Sequence, residues 1–430
     1  MARISAVVLL ALMHGPLAGA ANQAAGASIE RISVGPGGVQ GEFESFLRSM
    51  SGDGGFVAFD SGSASLVAGD TNGRVDAFVR DVRAGVTRRV SVATGGGQGD
   101  QDSSNPQLSG SGRFVAFGST ATNLVPGDTN QFDDVFVRDL TTGITRRVSL
   151  GSRGNQGNGH SFVDAISYGG RFVVFTSAAS NLVPNDTNRA QDIFVRDRRA
   201  GTTKRVSLSS SGRQGNGTSR SAAISADGRY VAFGSHASNL VPDDTNGFPD
   251  IFVRDRTTNT TTRVNVSSTG RQADLTSVSP AISADGRFVG FWSEATNLVE
   301  GDTNATADAF VHDRTTGTTV RVSVGAGGRQ GDGPTQELSL SAKGRYAVFS
   351  SAASNLVAGD TNGAADVFLH NLRTGTTSRL SVSGAGTQGN SFSVGPAISA
   401  DGSTVAFSSD ASNLVPGDTN ARSDVFVRAR

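Results

Sequence analysis

A closed seven-bladed β-propeller, all-β and in one domain, is the fold this sequence predicts. Three observations predict it: a 58-residue repeat, four strand signals in each unit, and a final unit lacking one strand that stands alone ahead of the first. Asp70, Asp128, Asp186, Asp244, Asp302, Asp360 and Asp418 each open a DTN phrase, and every interval is 58 residues. Arg31, Arg89, Arg147, Arg205, Arg263, Arg321 and Arg379 begin an RVS-like triplet with the same period. A glutamine lies nine residues after each of those arginines, from Gln40 and Gln98 to Gln388. Residues 25–430 hold seven such units without an insertion.

One unit shows how the strands are assigned. Ser221–Ser225 reads as a small-residue strand suited to the crowded centre of a ring, and Ala226-Asp227-Gly228 as a tight turn. Tyr230–Phe233 is the second strand, a long loop carries the DTN phrase, and Asp250–Asp255 is the third. Thr262–Val266 is the fourth, after a turn at Thr257–Thr260. The middle strands are apolar on both faces, as expected where each blade is sandwiched between two others. The last repeat stops at FVRAR, after three strands, while Arg31-Ile32-Ser33-Val34 precedes the first blade. Pairing these four residues with the last blade closes the ring, where an open solenoid would need capping repeats.

Ahead of the ring, Met1–Ala20 reads as a signal peptide. Met1-Ala-Arg is a short basic region, ISAVVLLALM an apolar one, and Ala18-Gly19-Ala20 supplies the small residues of a cleavage site. The apolar run is short for a bilayer span. The sequence therefore predicts cleavage after Ala20, a propeller domain over 21–430 with no membrane span, and a monomer secreted or held in a periplasm. Lysine plus arginine equals aspartate plus glutamate at 38 each, which argues against nucleic acid or an anionic membrane as partner. The absence of cysteine excludes disulfides, thiolate metal sites and thiol catalysis, and the 56 glycines suit a turn-rich β protein.

The SADGRYVAF and SADGRFVGF stretches, with the DIFVRD or DVFVRD strand that follows, resemble the TolB-like, or WD40-like PD40, propeller repeat of bacterial proteins. The resemblance recurs in register in each blade. It implies a propeller used for binding in the periplasm or outside the cell and leaves the partner open, a protein or cell-envelope component being the expectation. TolB itself pairs its propeller with an α/β domain, and related peptidases add a hydrolase domain. Residues 21–30 are too few to encode either, so a stand-alone scaffold is expected.

Strand polarity puts the DTN loops and the GRQG-like connections on one rim, where a rigid scaffold ordinarily carries binding surfaces. Each loop offers Asp, Asn and Asp at positions one, three and seven. The seven trios are Asp70, Asn72 and Asp76; Asp128, Asn130 and Asp134; Asp186, Asn188 and Asp192; Asp244, Asn246 and Asp250; Asp302, Asn304 and Asp308; Asp360, Asn362 and Asp366; and Asp418, Asn420 and Asp424. Such oxygen donors resemble a calcium loop. They are equally good turn chemistry, because Asp and Asn side chains cap backbone amides. Fastening of the loop is the leading reading of the phrase, with weak calcium binding compatible with it. Position twelve, Asp139 for example, cannot join the same ion, since an extended strand holds it roughly 16 Å from position seven. That position is Asn371 and Ala429 in the last two blades.

His312 and His370 occupy a slot that is arginine elsewhere, without companions at zinc-ligand spacing, and read as surface residues. The sequence contains no GxSxG elbow, Walker loop or HExxH motif. Glu30, Glu42, Glu44, Glu294, Glu300 and Glu337 do not recur with the repeat, and none stands out as catalytic. A non-catalytic scaffold is therefore expected, with a polysaccharide hydrolase or lyase acting at the ring's axis as the alternative. Symmetry-breaking acidic residues converging at the axis are the feature that would favour the enzyme.

Overall fold

The computed structural model describes residues 28–430, so the signal-peptide and cleavage assignments at 1–20 lie outside the described residues. Seven sheets, each of four antiparallel strands, stand around a common axis. In the first blade the order from the axis outward is Ser45–Met50, Phe56–Ser61, Asp76–Asp81 and Val86–Arg89. The seventh blade has Ser393–Ile398, Thr404–Ser409 and Asp424–Ala429 from the chain's end, and its outer strand, Ile29–Arg31, from the beginning. Ile29 lies opposite Arg428 and Arg31 opposite Phe426, so the ring closes as the sequence predicts.

The fourth blade corrects the strand bounds. Its strands are Ser219–Ile224, Tyr230–Ser235, Asp250–Asp255 and Thr260–Arg263. The outer strand ends at Arg263, short of Val266, because side chains take over from the backbone ladder. Asn265 Oδ1 accepts the Ile251 amide at 3.0 Å, while Arg263 turns toward Asp244 and Asp250. The closing strand is shortened for the same reason, with Ser33 Oγ accepting the Val425 amide at 3.0 Å.

The core is seven layers between blades. Each blade carries a cross-strand phenylalanine pair, Phe233 and Phe252 for example, with ring centroids 5.8 Å apart. Alanine, valine and isoleucine beside each pair pack against the next blade. The closing layer joins Ile32, Leu47 and Phe59 to Ala406 and Val425. Aromatic side chains also lock the turns. Gly228 has φ +78°, and a Cβ there would lie 2.1 Å from Cδ2 of Phe172 in the preceding blade. Phe172 in turn lies under the Arg256 guanidinium, 4.5 Å from its ring centroid.

Around the axis, the turns between first and second strands are laced into a ring by backbone hydrogen bonds. Ala226 donates to Ala284, Ala284 to Ala342, Ala342 to Ala400, Ala400 to Gly52 and Gly52 to Gly110, at 2.8–3.0 Å. Ser111 and Tyr168 complete the circuit back to Ala226. This lacing draws the blades together at one end of the axis. The rim with the DTN loops is at the other.

Candidate functional site

The structure brings each predicted trio together, and it adds a residue that completes it. In the first blade Arg89 Nη1 lies 2.8 Å from Asp70 Oδ1 and 3.0 Å from Asp76 Oδ2. Asn72 Nδ2 donates to Asp76 Oδ2 at 3.0 Å and to the Gly99 carbonyl at 3.1 Å, while its Oδ1 accepts the Arg74 amide. Ser91 Oγ donates to the other Asp76 oxygen at 2.5 Å. Gln98 reaches from the connection to the next blade and holds Gly69 and Thr71 of the loop. All seven blades repeat the arginine between two carboxylates, at 2.8–3.5 Å, while in the fourth and sixth blades Gln272 and Gln388 donate to the aspartates and in the fourth Asn265 stands for the serine. In the last blade the arginine is Arg31, from the closing strand. The arginine and glutamine landmarks of the repeat are thus parts of the DTN site.

Burial sets the electrostatics. The side chains of Asp70, Asp76 and Arg89 are 5%, 0% and 8% exposed. Burial pushes the first carboxyl of each phrase, Asp70 for example, above the usual carboxylate range, and the arginine only partly offsets it. As arranged, the donors do not fit calcium. The point between the two carboxylates is taken by a guanidinium nitrogen, and the asparagine turns its NH₂ toward the aspartate. Both oxygens of the inner aspartate already accept hydrogen bonds. Among the described residues no cluster of three His, Cys, Asp or Glu has the geometry to hold a metal. Position twelve is at the far end of the third strand, where Asp139 pairs with Arg113 at 2.7 Å.

The histidine expectation is corrected. His312 and His370 are buried, each bonded through Nδ1 to a threonine hydroxyl at 2.9 Å, because the arginine they replace was itself an interior residue. Burial lowers the pKa of both. Arg138, Arg196, Arg254 and Arg428 in this slot reach the preceding blade, Arg254 to the Ser209 carbonyl at 2.9 Å.

The second site lies on the axis, where the sequence asks for symmetry-breaking acidic residues without naming the residues that line it. A cavity of about 380 Å³ is lined by residues from all seven inner strands. Each of those strands has a register shift there, releasing one or two residues from the ladder toward the axis. Pro106, Pro280 and Pro396 at these points have no amide to lose, which is where proline is tolerated in a sheet. Asn105, Ser221, Ser279 and Glu337 are left-handed, with φ between 47° and 56°. Such residues cost about 1–3 kcal/mol each and concentrate at functional sites.

The released positions differ from blade to blade. They are Arg48, Asn105-Pro106, Asp164, Ser221, Ser279-Pro280, Glu337 and Gly395-Pro396, within a pair of repeat columns reading Leu-Arg, Asn-Pro, Val-Asp, Ser-Ala, Ser-Pro, Glu-Leu and Gly-Pro. Arg48 Nε donates to Asp60 Oδ2 at 2.8 Å, and Asp60 also accepts the Asn105 amide at 2.9 Å. Asp164 is half-buried at the cavity wall, and its enclosure pushes its carboxyl up to about 7. Thr176 Oγ1 donates to it at 2.8 Å. Glu337 Oε2 accepts the Gly395 amide at 2.5 Å. The available signal in the sequence was this pair of columns, which vary between blades while the DTN phrase and the arginine do not.

No protein-family model matches the chain, and no curated protein matches it. Solved structures do. The β-propeller domain of the trilobed protease from Pyrococcus furiosus, described as having an open velcro topology, matches at 10% identity and a TM-score of 0.52. The match covers 90% of this chain and 93% of that one. This chain shares that propeller fold. A prolyl endopeptidase matches at 10% identity and a TM-score of 0.54, over 91% of this chain and 50% of its own. TolB from Acinetobacter baumannii matches at 14% identity and a TM-score of 0.41, over 89% and 78%. In contrast to the open velcro domain, the present ring is closed by a strand from the opposite terminus.

Proposed function

We propose that the chain is an exported, non-catalytic binding propeller of the TolB-like PD40 kind, which recognises a protein or cell-envelope component through its axis. One observation carries this reading. The rim holds the same Asp-Asn-Asp-Arg set in every blade, whereas the pair of axial positions at the register shift is a different combination in each. Structural demands are equal in seven equivalent blades, so divergence at positions that line one shared cavity favours recognition of something without sevenfold symmetry. A basic, apolar and small-residue N-terminus supports export. Among the described residues no helix is long and apolar enough to cross a membrane.

For the rim we propose fastening, with the arginine as the cation that the acidic pair requires. Calcium binding by these copies is the competing reading.

The test is capture from an envelope extract by the exported protein, whose N-terminus should be Ala21 by mass spectrometry. An Asp164→Asn, Glu337→Gln double variant with unchanged melting should lose the captured component, and an outer-edge Thr258→Ala variant should keep it. Equal capture by all three overturns the reading. A second reading is favoured by the raised Asp164 carboxyl in a cavity that a second carboxylate, Glu337, also lines. Two carboxyl groups lining one cavity can serve as acid and base in polysaccharide hydrolysis or elimination. New reducing ends or unsaturated uronates released from a polysaccharide panel, and lost in Asp164→Asn, would establish it.

A further inference from the structure

The gap between the third and fourth blades gathers cations without acids. A groove of about 690 Å³ runs along it, lined by Lys204, Arg205, Arg254 and Arg256 and by no aspartate or glutamate. Arg205 is already neutralised by Asp186 and Asp192. Among the described residues none of the other three forms an ion pair. Asp255, between the two arginines in the chain, is taken by Arg229 at 2.7 Å.

Strand geometry turns the three toward one another. Arg254 and Arg256 are two residues apart, so roughly 7 Å separates their α-carbons. Both reach toward the third blade, Arg254 to the Leu208 and Ser209 carbonyls and Arg256 over the Phe172 ring. Lys204 comes from the opposite wall. Its neighbour Thr203 donates to the Leu150 carbonyl on the second-blade side, and successive side chains of a strand alternate, so Lys204 points toward the fourth blade. The gap between the seventh and first blades shows the same positions facing each other. Burial lowers the pKa of Arg80 there, and Glu30, the counterpart of Lys204, offsets part of that.

Arg254 is the enclosed member, only 5% exposed. Its Nη1 serves Leu208, Ser209 and Thr261, whereas Nη2 has only Asn259 Oδ1, at 3.5 Å. Those acceptors are neutral, and a buried charge is ordinarily paired. Burial holds the guanidinium below its usual range, and Asp255 only partly offsets it. Other gaps relieve this slot, by Glu30 beside Arg80 or by a histidine in place of the arginine. Here Lys204 and Arg256 add charge instead.

We propose that this groove binds a tetrahedral oxyanion, a phosphate or sulfate group, free or carried as an ester. The site is separate from the axis and does not depend on the axial reading. Guanidinium and ammonium groups supply only donors, and arginine matches phosphate oxygens in geometry as well as charge. Three cations on two walls suit an ion of up to about two charges better than a lone carboxylate.

The experiment is calorimetric titration of the exported protein, at constant ionic strength, with inorganic phosphate, sulfate and glucose 6-phosphate. Acetate, chloride and glucose are the controls, and methyl NMR of Val206 and Leu208 reports on the groove. Phosphate, sulfate or the ester should bind and shift those methyls, with each control weaker by about tenfold or more. Three substitutions borrow the residue another blade has at the same position: Lys204→Thr from Thr262, Arg254→His from His312 and Arg256→Leu from Leu140. Each should weaken the oxyanion by about tenfold or more while melting is preserved. Arg153→Ala, exposed outside the groove, should leave binding unchanged. Tighter binding of glucose 6-phosphate than of inorganic phosphate assigns the group to a sugar. Sedimentation with phosphatidylcholine vesicles only when they contain phosphatidic acid, lost in Arg256→Leu, assigns it to a lipid headgroup. Acetate binding as tightly as phosphate overturns the ligand class. Methyls unmoved by every anion, or oxyanion binding unchanged in all three groove variants, overturns the site.

Discussion

Arg205→Met tests the rim most directly, because it removes a guanidinium while keeping most of the side chain's apolar stem. Arg205 Nη1 lies 3.1 Å from Asp186 and 2.9 Å from Asp192, whose side chains are 5% and 0% exposed. Removing one partner of a buried ionic set leaves its charge uncompensated, at a cost of about 3–5 kcal/mol. A cooperative unit of about 400 residues has an unfolding entropy near 0.8 kcal/mol/K, so the melting temperature should fall by about 4–6 °C. Burial already holds the Asp186 carboxyl above the usual range, and losing the arginine should raise it further. The deficit should consequently be smaller at pH 5 than at pH 7, and adding Asp186→Asn should recover part of it. The assay is a thermal melt in millimolar calcium, in magnesium and in chelator. Wild type should melt alike in all three. The arginine-free variant alone, with the place between its carboxylates vacated, should gain from calcium. A melting temperature unchanged by Arg205→Met refutes the fastener. A calcium-specific rise in wild type refutes the claim that arginine fills the ion's place.

Three further outcomes follow from other parts of the ring. Gly228→Ala combines a left-handed backbone with a 2.1 Å clash against Phe172, and should cost on the order of 2–4 kcal/mol by urea denaturation. Gly37→Ala has φ +71° but open space, and should cost only about 1 kcal/mol. Asp139, Asp197 and Asp313 are pulled down to about 2, chiefly by hydrogen bonds from Arg113, Arg171 and Arg287. Their folded pKa lies below the unfolded value, so the stability they add is present above about pH 4 and lost as pH falls toward 2. Urea midpoints should drop across that window, less steeply in Asp197→Asn; parallel curves would contradict the assignment. Removing residues 21–36 should bare the edge of Asp424–Ala429 and leave Asp418 and Asp424 without Arg31, giving a lower melting temperature and aggregation by size exclusion. A truncated protein that stays monomeric and melts as before would refute the closure.

The fold was legible because the repeat never slips. Fifty-eight residues separate each DTN aspartate from the next, and the strand missing after Arg430 could be found at the other terminus. Strand ends were less legible, since Asn265 and Ser33 end the outer ladders with side-chain hydrogen bonds that strand propensity does not register. At the rim the trio was visible and the arginine was visible, yet their contact was not. The link was a constant offset, nineteen residues from Asp70 to Arg89 and from Asp128 to Arg147. His312 and His370 misled because a slot filled by arginine suggests solvent, whereas this arginine is an inward-facing strut between blades. The axis was hidden by the method that found the fold. Looking for what recurs passes over Arg48, Asp164 and Glu337, which line the cavity because they do not recur.

The seventh fastener has a history unlike its six copies. Ser91 Oγ meets Asp76 across 15 residues of chain, and the same bond in the last blade joins Ser33 to Asp424 across 391. In an unfolded chain the longer loop costs about 3 kcal/mol more to close. Identical chemistry therefore forms at different times. Six fasteners can set as their own segments collapse, while the seventh waits until the other blades have carried the two termini together. The place where the wheel is joined is then the last to be made on the way in and the first to part on the way out. A strand lost there for a moment leaves a gap that the leading strand of another copy has the right sequence to fill.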